Sequence, residues 1–139
     1  AECGGLMVLA RRIRWQGRSA EMVGAIPADA VMQPRPVGRG YVALQETAAM
    51  PWRGGGGTVQ GHEFHHSTLE NLDPSVKFAY RVQRGHGIDG QHDGLLVHKL
   101  LASYTHLRTN AGSQWVPRFV EHVRQVRQPA LAAADALSA

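Results

Sequence analysis

Leu6, Leu9, Ala10 and Ile13 fall at i, i+3, i+4 and i+7, so the opening of the chain predicts an amphipathic helix from about Gly4 to Arg14, ended by Gly17. From Glu21 to Tyr80 the period changes. Met22 to Ile26, Ala30 to Gln33, Tyr41 to Glu46, Val59 to His66 and Val76 to Val82 are short β-rich runs separated by proline and glycine, and they read as strands. Gly54-Gly55-Gly56-Gly57 reads as a flexible turn between two of them. A loop from Gly85 to Gly94 precedes two further strands, Leu95 to His98 and Leu100 to Thr105. Val116, Phe119, Val120 and Val123 then make an apolar stripe on a second helix, with Ser113 as its N-cap. The alanine-rich segment after Pro129 has little to anchor it, so the domain is placed at residues 1–127 and a weakly ordered tail at 128–139.

Composition narrows the class. A length of 139 residues suits a single core. No run of about 18 apolar residues exists to span a membrane. There is no signal-peptide pattern, and the single cysteine cannot form an internal disulfide, which points to the reducing cytoplasm. The net charge of +4 raises the question of an anionic partner. Its distribution argues against one. Arg11, Arg12 and Arg14 are expected in the last turn of the first helix, where cations complement the macrodipole, and Arg118, Arg124 and Arg127 on the polar side of the second. Neither nucleic acid nor membrane is therefore expected as a partner.

Two motifs invite readings that their context rejects. Gly85-His86-Gly87-Ile88-Asp89-Gly90 spells G-x-G-x-x-G, but Gln91-His92-Asp93-Gly94 continues as turn chemistry instead of opening a helix toward a pyrophosphate. A hairpin loop is expected there. His62, His65 and His66, with His86 and His92 further on, raise the question of a metal. In a strand His62 and His66 share one face and His65 takes the other, so at most two could ligate from one side, and no structural zinc site is expected.

The chemistry points to Cys3. It sits in Ala1-Glu2-Cys3-Gly4-Gly5-Leu6-Met7, a small, glycine-rich frame ahead of a helical pattern. A thiol at such a strand-to-helix turn is exposed, the helix N-terminus is expected to favour its thiolate, and the Gly4 amide is placed to meet a developing oxyanion. In Leu100-Leu101-Ala102-Ser103-Tyr104-Thr105-His106-Leu107-Arg108, an apolar run delivers His106 to a strand end, where an imidazole can serve as general base.

Together with Met22-Val23-Gly24 and Gly61-His62-Glu63-Phe64-His65-His66-Ser67, these segments resemble the glutaminase half of the cobyrinic acid a,c-diamide synthase family, a branch of the class I glutamine amidotransferases. The resemblance runs from Ala1 to about Val126. It implies an α/β fold, the three-layer, flavodoxin-like class I amidotransferase domain. It implies that Cys3 attacks the side-chain amide of glutamine and that His106 assists. The wider class places a glutamate two residues after that histidine, where this chain has Arg108, so a triad of that spacing is excluded. Glu63 is then either an alternative orienting group or a carboxylate held by its histidines for structural reasons, and His62 and His65 are candidates for shaping the site. The chain opens almost on its nucleophile and is expected to be a C-terminal fragment, with little glutaminase activity in isolation. The resemblance puts ATP and Mg²⁺ in a preceding domain, with no cofactor in this chain. It makes glutamine and a tetrapyrrole carboxylate the substrates, the latter held by that other domain, and leaves a homodimer open. A sirohaem-type ring is the alternative to cobyrinate. The competing class is a non-catalytic structural or interaction domain.

Overall fold

The structure, a computed structural model, describes residues 1–52, 57–109 and 114–137. Among these the chain runs α1 (Gly4–Leu9), β1 (Ala10–Trp15), β2 (Arg18–Glu21), β3 (Ile26–Met32), β4 (Gly38–Glu46), β5 (Thr58–His65), β6 (Ser67–Glu70), β7 (Lys77–Arg84), β8 (His92–Val97), β9 (Leu100–Ala102), β10 (His106–Leu107) and α2 (Trp115–Leu137). Gly54 to Gly56 and Ser113, read as a turn and an N-cap, lie outside the described residues.

The first helix is shorter than its periodicity suggests. It stops at Leu9, Ala10 leaves with extended backbone (φ −64°, ψ 169°), and residues 10–15 form a strand paired with β2 and β3. Gln16 and Gly17 both take positive φ (49° and 73°) between the paired residues Trp15 and Arg18. This is a two-residue hairpin turn whose twist matches its strands. Gly17 therefore closes a hairpin and does not end a helix. The helical spacing misleads because Leu6 and Ala10 are both fully buried, one on the helix and the other opening the strand.

Arg11, Arg12 and Arg14 consequently do not decorate a helix end. Arg11 Nε donates to Asp29 Oδ1 at 3.0 Å, Arg12 Nε lies 3.7 Å from the same oxygen, and Arg14 faces Glu70 at 3.3 Å. Asn71 Nδ2 donates to the other Asp29 oxygen at 3.0 Å. That Asn71 hydrogen bond, joined by Arg11 and Arg12, outweighs burial and holds the Asp29 carboxyl below its ordinary value of 3.8. A depressed folded value contributes stability above the unfolded value, and the contribution disappears as pH falls through the folded one. Asp29→Asn is expected to cost roughly 1–2 kcal/mol at neutral pH. It should also flatten the loss of stability below about pH 4. Denaturant melts of both proteins across that range check this.

The described strands form a mixed sheet, β2-β1-β3-β6, in which β1 and β3 run parallel, and a larger, wholly antiparallel sheet, β10-β5-β4-β7-β8-β9. The run read as one strand to His66 is broken there, because β5 pairs with β4 in the larger sheet and β6 with β3 in the smaller. At β8 and β9 the larger sheet is packed on both faces. Leu95 and Ala102 join Leu6, Ile26, Ala28, Ile88 and Tyr104 on the side of α1 and β3, while Leu96 and Leu101 pack on the other side with Val42, Leu44, Met50 and Tyr80. Alternation along β8 and β9 makes this division. Each fully buried leucine contributes about 1.5–3 kcal/mol.

Trp52, packed against the second cluster, meets Phe119 of α2 edge-on at 5.2 Å. Arg118, expected on a solvated helix face, instead forks onto the Glu46 carboxylate at 2.6 and 3.0 Å and also donates to the Trp52 carbonyl. The helix backbone runs on to Leu137, so the boundary drawn at residue 128 falls inside it. Between β7 and β8, Gly85, Gly87 and Gly90 have φ of 115°, 63° and 84° in a hairpin connection, which no helix follows.

Candidate active site

The site begins where β-type pairing gives way to helix. Glu2 forms a single parallel bridge with Ser103, the Cys3 N–H donates to the Ser103 carbonyl at 2.8 Å, and Gly4 opens α1. The reversal falls on Cys3, at φ 46° and ψ −104°. These angles are close to the first central position of a mirror-image type II turn, where a residue with a Cβ is strained. The Cys3 Sγ is half-buried and lies 3.8 Å from the Phe64 carbonyl.

The resting group is the thiol. Burial pushes the Cys3 thiol above its ordinary value of 9.0, the Gly4 N–H pulls it down by less, and the charge of Glu2 adds to the rise. The expectation that the helix end would favour the thiolate is corrected on this point. With six residues, α1 offers only a small dipole against the desolvation. A base is therefore needed.

His106 opens β10, which lies antiparallel to β5 with His106 opposite His62 and Leu107 opposite Gly61. The His62 and His106 rings stack at 4.9 Å and 16°. Gly61 is what lets β10 come this near, since a Cβ there would fall 2.5 Å from Thr105 Cγ2 and 2.6 Å from the His106 carbonyl oxygen. His106 Nδ1 is 3.7 Å from Glu2 Oε2, and the Leu107 N–H donates to Glu2 Oε1 at 3.3 Å. Glu2 thus joins the Cys3 turn to the strand that carries His106. The motif around Cys3 contains this residue, but its spacing to His106 gave no hint of the contact. Arg39, Tyr41, His62, Phe64, His106 and Arg108 line an open depression of about 530 Å³ on this face.

The approach to His106 is fixed from beneath by Asp93, which is fully buried. Its carboxylate accepts the N–H groups of Gly94 (2.8 Å), Tyr104 (3.0 Å) and Thr105 (2.9 Å), and the Thr105 hydroxyl (2.6 Å). Burial raises its pKa and these hydrogen bonds pull against the rise. From the sequence, Asp93-Gly94 looks like any turn.

Glu63 is corrected. Successive residues of β5 alternate between exposed and buried, so His62 faces outward with the His106 ring while Glu63 and His65 face inward. The Glu63 carboxylate accepts the N–H groups of His86 at 2.7 Å and Gly87 at 2.9 Å, and lies 3.7 Å from His65 Nε2. Burial raises its pKa, but His65 and the two amides more than offset this and hold it below the ordinary carboxylate value. It ties the β7–β8 loop to β5 and does not orient His106. His65 Nδ1 donates to the Ser67 carbonyl at 2.9 Å, and its ring stacks on Tyr104 at 3.8 Å. The Tyr104 hydroxyl shares a 2.7 Å hydrogen bond with Ser67 Oγ. Close packing here also explains Gly38, because a Cβ would fall 2.3 Å from His65 Nε2.

The sequence pattern of the CobB/CobQ-like glutamine amidotransferase domain matches residues 1–113. The chain belongs to this family. Among the relatives of this amidotransferase domain, a cobyrinate a,c-diamide synthase from Magnetococcus marinus is 45% identical over 117 residues, which cover 84% of this chain and 25% of the relative. Proteins of the same name from Halobacterium salinarum and Archaeoglobus fulgidus are 44% and 36% identical, over 76% and 87% of this chain and 24% and 26% of theirs. The amidotransferase chain thus spans about a quarter of the length of these relatives. Its two sheets and few helices are consistent with the α/β fold of class I glutamine amidotransferases.

Proposed function

We propose that this domain is the glutaminase part of a longer, ATP-dependent enzyme that converts tetrapyrrole carboxylates of the cobyrinate type to amides, with glutamine as nitrogen donor. The observation that carries the reading is the strained turn that presents the Cys3 thiol, with the Gly4 amide at the sulfur and the strand of His106 tied to the same turn. As the first residue of α1, Gly4 has an N–H that needs no partner inside the helix, so it is free to receive an oxyanion.

In this reading the thiol proton passes to His106 as Sγ attacks the glutamine Cδ, and the carbonyl electron pair moves onto oxygen beside the Gly4 N–H. Collapse expels ammonia, which takes the proton from His106. Water then cleaves the γ-glutamyl thioester, releasing glutamate and restoring the thiol. His62, stacked on the outer face of His106, limits how the imidazole can turn.

Activation of the acceptor carboxylate is placed outside this chain. In this reading ATP and Mg²⁺ belong to the remainder of a longer protein, a division supported by this chain spanning about a quarter of the length of its relatives. A cytoplasmic enzyme fits this chemistry, and among the described residues no helix is long and apolar enough to cross a membrane.

The test uses the full-length protein with ¹⁵N-amide glutamine, ATP, Mg²⁺ and cobyrinate. Glutamate release with transfer of ¹⁵N to the ring is expected. No glutamate release would leave the non-catalytic reading, while release with transfer only to a sirohaem-type ring would move the substrate to that alternative.

A further inference from the structure

We propose that Glu2 is the positioning residue of this site, holding the His106 imidazole at Nδ1 so that Nε2 remains the basic nitrogen for the Cys3 thiol. The inference rests on the glutaminase reading and deepens it. A histidine that must accept a proton through Nε2 has to carry its own proton on Nδ1, whereas an imidazole free in water prefers the opposite tautomer. A carboxylate at Nδ1 reverses that preference. Arg108, two residues after His106, has the wrong charge for the task, and Glu63 lies on the other face of β5.

Glu2 has both the charge and the placement. Its Oε2 is 3.7 Å from His106 Nδ1, and its Oε1 accepts the N–H of Leu107, the next residue along β10, at 3.3 Å. Its own backbone is fixed by the bridge to Ser103 and by the Gly5 N–H donated to its carbonyl at 2.8 Å. The 3.7 Å separation is ion-pair reach, longer than a hydrogen bond, and such contacts commonly tighten once substrate closes the site. Because Glu2 precedes Cys3, one backbone turn sets the nucleophile and the group that orients its base. The charge of Glu2 also helps to keep the thiol protonated, which makes a correctly oriented base the more necessary.

Glu2→Gln tests this, since the amide oxygen can still accept from Leu107 while the charge is lost. Two readouts are needed. In the ¹⁵N spectrum of histidine-labelled full chain, at a pH where the ring is neutral, His106 should move toward the Nε2–H tautomer. In the full-length protein, kcat for glutamine hydrolysis should fall about 10-fold to 100-fold, less than the loss of a general base itself, with KM changed by less than about two-fold. An active wild type whose kcat and His106 tautomer are both indifferent to Glu2→Gln would overturn the inference and leave the glutaminase reading intact. Lost activity with an unchanged tautomer would also overturn it, by assigning Glu2 a purely structural role. Failure of the wild type to hydrolyse glutamine would instead remove the glutaminase reading, and this inference with it.

Discussion

Cys3→Ala in the full-length protein is expected to lower glutamine-dependent amidation by on the order of 10⁴-fold or more, the scale of nucleophile deletions in other hydrolases. Amidation supported by added ammonium salt should persist, because the proposed nucleotide site lies outside this chain and free ammonia bypasses the thiol. His106→Ala should give the same split. The double variant should be little worse than either alone, since nucleophile and base act as a unit. Steady-state rates with glutamine and with ammonia, together with mass spectrometry for a γ-glutamyl adduct on Cys3, check this. Full glutamine-dependent activity in Cys3→Ala would remove the thiol from the mechanism and the functional proposal with it.

Asp93→Ala is expected to be the most damaging substitution for the fold. It would leave three backbone N–H groups and the Thr105 hydroxyl without their common acceptor in a fully buried position. Removing one partner from a buried charged network typically costs about 3–5 kcal/mol. That is a large share of the roughly 5–15 kcal/mol available to a domain, so a large drop in the urea midpoint or failure to fold should result. Asp93→Asn should be milder, because one amide oxygen still accepts and no charge is buried. The linkage works in the same direction. An acid whose folded pKa is raised from 3.8 contributes stability fully present below that value and lost as pH rises through the folded one, and asparagine does not suffer the loss. A near-normal midpoint for Asp93→Ala would show that the turn before His106 is held by something else.

The sequence pattern singled out candidate residues more readily than it gave the architecture around them. Cys3 and His106 stood out as candidates because the proposed roles demand particular residue types in small, apolar frames, and in the structure both lie at element junctions. The strand at Ala10 was not legible. Leu6, Leu9, Ala10 and Ile13 satisfy helical spacing, and only the tertiary pairing of residues 10–15 with β3 decides otherwise. Gln16-Gly17 carried the information as a hairpin turn, but a glycine after a helical pattern reads equally well as its end. In β5 the alternation of His62, Glu63 and His65 gave the correct faces without saying which was buried, and so left Glu63 as a candidate for a task on the opposite side. Glu2 and Asp93 were missed for a common reason. Each acts across more than ten residues of chain, on His106 and on Thr105, and nothing in local spacing reports such a contact.

The left-handed backbone at Cys3 sets folding and chemistry at odds at one position. A side chain held at such angles costs roughly 1–3 kcal/mol, which glycine would not incur. A screen that rewards only expression or heat resistance would therefore drift toward discarding the thiol. Directed evolution of this domain for durability has to score turnover in every round, or exempt position 3 from change.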